Sequence, residues 1–357
     1  MIKRNNITEL LKGVEVEWKT LGEVTTILTA QSKVKKDRYS KSGKIPIIDQ
    51  GEQFIAGYSN ENIQPIESGE YIIFGDHSEH IKYVDFSFIQ GADGIKILKT
   101  KNDNTKYIYY AFKNFYHKEL SYKRHWSNAK ETSIPIPPLH VQTEIARILD
   151  TFTALTAELT AELTTRKKQY NYYRDKLLTF QEDEVEWKNL GEIAKIKNGK
   201  DWKKLGDGDI PVYGTGGVMG YVNTHAYNKP TVLIPRKGSI TNIFYLESPF
   251  WNVDTIYYTE IDEEEIIPKF FYYYMKTIDL TKLDTGSGRP SLTKAILDNI
   301  NIPIPPLKEQ ARIVEILDKF DVLTNSITEG LPREIELRQK QYEYYRNLLL
   351  NFSVETQ

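Results

Sequence analysis

The sequence predicts an α+β protein: two pseudo-repeated α/β units joined by two long antiparallel helices that pair as a coiled coil. Three observations predict it. The 357-residue chain is written twice, at a period of about 168 residues. Each copy has a middle made of short β-branched and aromatic runs. Each copy closes on a stretch with apolar residues three and four apart, the period of a helix with one continuous seam.

The repeat is carried by matched segments. Val16-Glu17-Trp18-Lys19-Thr20-Leu21-Gly22-Glu23 returns as Val185-Glu186-Trp187-Lys188-Asn189-Leu190-Gly191-Glu192. Ile134-Pro135-Ile136-Pro137-Pro138-Leu139 returns as Ile302-Pro303-Ile304-Pro305-Pro306-Leu307. Gln142 and Ile148-Leu149-Asp150 match Gln310 and Ile316-Leu317-Asp318, and Arg166-Lys167-Lys168-Gln169-Tyr170-Asn171-Tyr172-Tyr173-Arg174 matches Arg338-Gln339-Lys340-Gln341-Tyr342-Glu343-Tyr344-Tyr345-Arg346. Between them the copies share only scattered marks, such as Asp93 with Asp254. A period this long is two copies of a whole domain, not a solenoid. Drift alone would blur scaffold and filling equally, so the fillings have diverged in function.

Within the fillings, strands are predicted at 45–48, 71–74, 83–89, 95–98, 231–234, 240–246 and 255–259, bounded by Gly, Asn, Asp and Pro. Aromatic helices are predicted at 106–117 and 269–278. The Ile-Pro-Ile-Pro-Pro segments read as stiff, non-helical struts, because proline fixes φ and biases its predecessor to extended backbone. The helix that follows the first strut keeps its seam through Leu155, Leu159 and Leu163. Its twin runs through Leu323 and Ile327, and Gly330-Leu331-Pro332 should break or kink it. The first helix also holds Thr156-Ala157-Glu158-Leu159 followed at once by Thr160-Ala161-Glu162-Leu163. Each such tetrad is near one turn, so it lengthens the rod while keeping Leu on one face. The expected divisions are a first α/β unit at 1–138, a central spacer helix at 139–181, a second unit at 182–306 and a C-terminal spacer helix at 307–357.

Composition narrows the function. Hydrophobic residues at 40% and charged residues at 27% fit a globular protein that buries real cores. There is no cysteine, which removes disulfides, thiolate zinc sites and a thiol nucleophile. The start has no apolar leader and no run approaches a membrane span, so a cytoplasmic protein is expected. Net charge is −2, with 20 basic against 17 acidic residues in 1–138 and 14 against 18 in 182–306. Any basic surface must therefore be a local stripe.

The doubled scaffold, with its Ile-Pro-Ile-Pro-Pro-Leu…Gln…Ile-Leu-Asp segments, resembles the specificity subunits of type I restriction–modification systems. The Thr-Ala-Glu-Leu repeats, the Arg166–Arg174 segment and Thr328-Glu329-Gly330-Leu331-Pro332-Arg333-Glu334 resemble the IC subfamily. The resemblance implies two target-recognition domains, each reading half of a split asymmetric site on double-stranded DNA, with the helices as a spacer that sets the gap. It implies two modification subunits, carrying S-adenosylmethionine, and restriction subunits using ATP and Mg. No cofactor would be bound by this chain.

The residues agree with a reader that has no catalysis of its own. No Gly-x-x-x-x-Gly-Lys-Ser/Thr loop occurs, and both Pro-Pro pairs sit before Leu, not in an amino-methyltransferase motif. Tyr213-Gly214-Thr215-Gly216-Gly217 lacks the helix a cofactor loop needs and reads as a turn. His77 and His80 have no obvious third metal ligand. A DNA reader needs cationic and amide side chains on loops. The candidates in the first unit are Lys33, Lys35, Lys36, Arg38, Tyr39, Gln50 and Gln90, with a second cluster at Lys123, Arg124 and His125. In the second unit they are Lys200, Trp202, Lys203, Lys204, Arg236, Lys237, Ser239, Asn242, Arg289 and Lys294. Each cluster alone also suits a solvated face, but both units place one early and one just before the strut. The alternative is a non-catalytic scaffold whose tyrosine-rich units bind polypeptides or glycans.

Overall fold

The computed structural model describes residues 4–284 and 290–352. It has two compact units: one of residues 1–159 with 335–357, the other of 160–334. Each unit repeats the same topology. The first has a four-stranded antiparallel sheet in the order Thr25–Leu28, Ile95–Thr100, Tyr71–Gly75, Ile81–Val84. A three-stranded sheet joins Gly57–Ser59, Ile45–Ile48 and Ile89–Gln90, the last pair parallel. The second unit does the same with Ala194–Asn198, Ile256–Ile261, Thr231–Pro235, Phe244–Leu246, and with Gly217–Val222, Ile210–Gly214, Trp251–Asn252. The aromatic helices are Thr105–Phe115 and Pro268–Met275, with Tyr107, Phe112, Phe270 and Phe271 fully buried in the cores. Two predicted strands are shorter than expected. The 83–89 run divides between Ile81–Val84 and Ile89–Gln90, and 240–246 forms strand only from Phe244 because a turn at Gly238, φ 84°, precedes it.

The Ile-Pro-Ile segments are not free struts. Ser133–Ile136 pairs antiparallel with Glu17–Thr20, placing Trp18 opposite Pro135, and Asn301–Ile304 pairs with Glu186–Asn189, placing Trp187 opposite Pro303. A two-stranded ribbon leaves one edge of each strand without a ladder partner, which is where proline is tolerated. The two most conspicuous repeated motifs are therefore the two strands of one repeated ribbon. The ribbon ends in a short helix whose third residue caps it: Glu23 accepts the Thr20 N–H at 2.6 Å, and Glu192 the Asn189 N–H at 2.6 Å. Gly191 lies so close to Asp298 that a Cβ would meet it at 3.1 Å.

Other repeated residues tie strand, loop and helix together. Buried Gln310 accepts the Ile267 N–H at 2.7 Å and donates to the Pro305 and Glu265 carbonyls at 2.8 and 3.1 Å. Gln142 accepts the Asn104 N–H at 2.9 Å and donates to the Pro137 carbonyl at 2.8 Å. Asp150 accepts from Tyr110 and Lys106, as Asp318 does from Tyr273 and Lys269. Gln310→Leu leaves three main-chain groups without that amide, and a buried orphan polar group costs about 1–3 kcal/mol. The expected result is a clear fall in the unfolding midpoint of the full chain, checked by thermal or urea denaturation. Lys319→Ala, which removes only an exposed pair with Glu315, is expected to leave the midpoint unchanged.

The central helix runs Leu139–Leu177 and contributes to both units, the division falling between Leu159 and Thr160. In the first unit Phe152 of this helix stacks on Tyr345 of helix Gly330–Leu350, centroids 5.1 Å apart. In the second unit its Tyr173 stacks on Phe320 of helix Leu307–Asn325 at 5.6 Å. Phe152 and Phe320 are repeat mates, and so are Tyr173 and Tyr345. Each unit is thus completed by the Gln-Tyr-x-Tyr-Tyr-Arg segment of the other repeat. Leu155, Leu159, Leu163 and Leu323 are half-buried, as a seam requires. Ile327 is not on the seam: the helix stops at Asn325, and Ile327 is 81% exposed in the connection to Gly330. The break comes just ahead of the Gly-Leu-Pro triplet, because Gly330 takes φ 72° and a Cβ there would meet the Val322 carbonyl at 2.3 Å.

Candidate nucleic-acid interface

In the first unit, loops from five parts of the chain converge at one end of the sheets. The Gln50 side chain donates to the Asp93 carbonyl at 3.1 Å and accepts the His77 N–H at 3.2 Å. Lys33 forms an ion pair with Asp93. The Tyr39 hydroxyl accepts the Ala92 N–H at 2.9 Å. His77 donates from Nδ1 to the Lys123 carbonyl at 3.1 Å and stacks on Tyr122. Lys33, Gln50, Lys123 and Arg124 are therefore brought to one surface, joined there by His77 and Tyr122.

Not every candidate is free to read a base. His125 is fully buried: it donates from Nε2 to the Ser121 carbonyl at 2.7 Å, and its Nδ1 lies 3.5 Å from Glu79. It holds the loop and cannot reach DNA, which corrects the expectation for it. Gln50 has both ends of its amide occupied within the protein, and Tyr39 is packed against Val34 and Ile47 with burial raising its hydroxyl pKa. These two shape the surface. Gln90 is half-buried, its carbonyl accepting the Val34 N–H at 3.0 Å. Arg38 pairs with Glu61 at 3.2 Å, while Lys35, Lys36 and Arg124 are exposed cations with no ion pair among the described residues.

The second unit gathers a different set. Arg236 and Lys294 both lie 5.9 Å from the Tyr257 ring, and the Arg236 guanidinium donates to the Asp254 carbonyl at 3.2 Å. Lys237 is exposed and its backbone bridges to Ser291. Asn242 donates to the Thr215 carbonyl at 2.8 Å, which brings the Thr215-Gly216 hairpin turn beside the exposed Ser239. The glycine-rich segment is thus a turn between strands, with Gly217 at φ 106°. Lys200 is held by its backbone on Asn252, and the Trp251 indole donates to its carbonyl at 3.0 Å. Trp202 is a packing residue: it lies against Gly220 and joins Val212 and Val222 in a small core, leaving Lys203 and Lys204 exposed. Arg289 lies outside the described residues.

The sequence missed Tyr257, His77 and Tyr122. Tyr257 sits inside a strand, where nothing local marks a tyrosine whose ring carries two cations. The shared Asp93 and Asp254 turn out to be equivalent: each offers its carbonyl to a candidate side chain, Gln50 in one unit and Arg236 in the other. Glu79 is also unheralded. Burial alone would raise its pKa, but hydrogen bonds from Tyr116 at 2.6 Å and from the Glu119 and Leu120 N–H groups at 2.8 Å outweigh that and hold it below the ordinary carboxylate value.

Comparison with known proteins agrees with this division into two readers. The family described as the type I restriction modification DNA specificity domain matches residues 13–166 and 182–337. The type I restriction enzyme EcoR124I/EcoR124II specificity subunit of Escherichia coli is 41% identical, over 99% of this chain and 98% of that protein. The fold is similar to the crystal structure of a type I restriction–modification system S subunit from M. genitalium, with TM-score 0.70 and 20% identity over 96% of this chain and 98% of that one. It is also similar, at TM-score 0.53 and 16% identity over 94% and 98% of the two chains, to a chain solved in work on complex assembly and conformational transition of the type I R-M system. These matches select a DNA reader over a polypeptide- or glycan-binding scaffold. With the family pattern present twice, once on each unit of a repeated topology, the chain belongs to the specificity subunits of type I restriction–modification systems, which recognise DNA and carry no catalytic chemistry of their own.

Proposed function

We propose that the two units read different halves of one bipartite, asymmetric site on double-stranded DNA. One observation carries this: the scaffold is the same in both units, while the loops at the reading end present different chemistry. In one unit Lys33, Lys123 and Arg124 are exposed beside half-buried His77; in the other Lys237 and Asn242 are exposed beside half-buried Arg236 and Lys294. An arginine pairs with guanine and an amide with adenine, so unlike sets read unlike sequences. The long helices, antiparallel in this reading, fix the gap, and the Thr-Ala-Glu-Leu tetrads are of the IC type.

Modification and restriction subunits are the partners of this family, and DNA is the ligand. In our reading two modification subunits dock, one per half-site, and supply S-adenosylmethionine. The restriction subunits supply ATP and Mg. No helix among the described residues is long and apolar enough to cross a membrane, and we place the chain in the cytoplasm.

Co-expression with the modification subunit, followed by adenine-methylation mapping of the host genome, tests the reading. The expected result is one split site with unlike halves. A second measurement addresses the cations. Affinity of the complex for its site is expected to fall steeply with salt, by about 0.9 in log–log slope for each phosphate neutralised. A flat salt response would exclude DNA contact by these loops.

A further inference from the structure

The loop 117–124 of the first unit is built to hold apolar side chains out in solvent. Leu120 and Tyr122 are 86% and 92% exposed. Neither gains anything from burial, yet the backbone beneath them is clamped. The buried Glu79 carboxylate accepts the Glu119 and Leu120 N–H groups, each at 2.8 Å. Buried Asp76 accepts the His125 and Trp126 N–H groups at 3.0 and 2.8 Å. His125 holds the Ser121 carbonyl, and His77 holds that of Lys123. Among the described residues, Glu79 and Leu120 are the non-glycine residues with positive φ, 56° and 55°, and they are hydrogen-bonded to each other. Such backbone persists where surrounding structure enforces it, and it concentrates at functional sites.

Its surroundings say what the tip meets. Lys118, Lys123 and Arg124 lie in the same short segment, against Glu119, which Lys123 neutralises. His77, stacked on Tyr122, continues through Gln50 and Asp93 to Lys33, the surface read above as the DNA face. A fixed aromatic–aliphatic tip flanked by cations suits a stacked base step beside phosphates.

We propose that Tyr122 and Leu120 form a wedge that inserts between adjacent base pairs of the half-site read by the first unit. This rests on the DNA-reading function proposed above. The wedge opens the stack without any bond being made or broken, and adds specificity because some base steps unstack more readily than others.

The test uses the full chain assembled with its modification subunits. The duplexes carry its mapped site with 2-aminopurine at successive positions of each half. Wild type is expected to raise fluorescence several-fold at one step of one half-site. Tyr122→Ala is expected to abolish that rise and weaken binding to the site about tenfold. Tyr122→Phe, which keeps the ring, is expected to keep both. Leu120→Gly, which suits the backbone, is expected to fold normally and lose part of the rise. Salt-dependent binding by wild type with no fluorescence change at any step would overturn the wedge while leaving DNA reading intact. Equal loss in Tyr122→Ala and Tyr122→Phe would also overturn it, since the hydroxyl would then be the reading group. Unchanged DNA binding in Tyr122→Ala, with loss of assembly with the modification subunit, would assign the tip to a protein partner instead. Absence of any salt-dependent binding would remove the DNA-reading function itself.

Discussion

Inserting a third Thr-Ala-Glu-Leu tetrad after Leu163 is expected to widen the gap in the recognised site and leave both half-sites unchanged. The two existing tetrads, Thr156–Leu159 and Thr160–Leu163, lie on either side of the division between the compact units. An insertion after Leu163 falls four residues past that division, ahead of Tyr173 and its contact with Phe320. Phe152 with Tyr345, and Tyr173 with Phe320, remain beyond it on both sides. Four residues add ~6 Å of helix. Duplex DNA rises ~3.4 Å per base pair, so the gap should grow by roughly one to two base pairs. Methylation mapping reads the outcome directly: the old site should go unmodified and a new one with the same halves should appear. Methylation at the old gap would mean that the central helix does not set the distance.

The scaffold was legible in the sequence because its residues do paired work twice. A repeated Gln, Asp or Glu-Trp-Lys stands out only because both copies keep it, and each has a partner that the fold explains: Gln310 on Ile267, Asp318 on Tyr273, Trp187 opposite Pro303. What could not be read was which segments pair. Glu17–Thr20 and Ser133–Ile136 are separated by the whole filling, and proline in the second argued locally against a strand. The exchange of Tyr345 and Tyr173 between the two sequence repeats is equally invisible, because a helix seam shows that a partner exists and not which one.

The reading loops were only half legible, for a related reason. A basic residue in a loop is marked by its type, but whether it faces out depends on distant contacts. His125 has the composition of a DNA contact, yet Asp76, Glu79 and Ser121 bury it. Trp202 is taken by Gly220 and its small core. Tyr122 is a lone exposed tyrosine and carries no spacing signal in the sequence. Its placement is declared by carboxylates some 40 residues earlier in the chain.

Replacing Arg236 and Lys237 together with alanine is expected to weaken recognition of one half-site by about ten- to a hundredfold, since a bidentate arginine–guanine pair discriminates by about 1–3 kcal/mol. Arg236 is half-buried, poised over Tyr257 with its backbone N–H on the Thr255 carbonyl, and Lys237 projects from the same turn. Neither side chain belongs to a buried core, so the unit is expected to fold normally, as circular dichroism of the full chain would verify. The discriminating measurement is a panel of duplexes altered in one half at a time, bound by the variant assembled with its modification subunits. If Arg236 reads a base, discrimination relaxes at one position of one half-site and the other half is read as before. Arg236→Lys should then fail almost as badly, because an ammonium cannot make the forked pair. If the two cations touch phosphate alone, affinity falls evenly over every duplex, the salt slope drops by about two, and Arg236→Lys restores it. An even loss would also move the reading role in this unit to Asn242 and Lys294, which the fold has already placed beside the same turn.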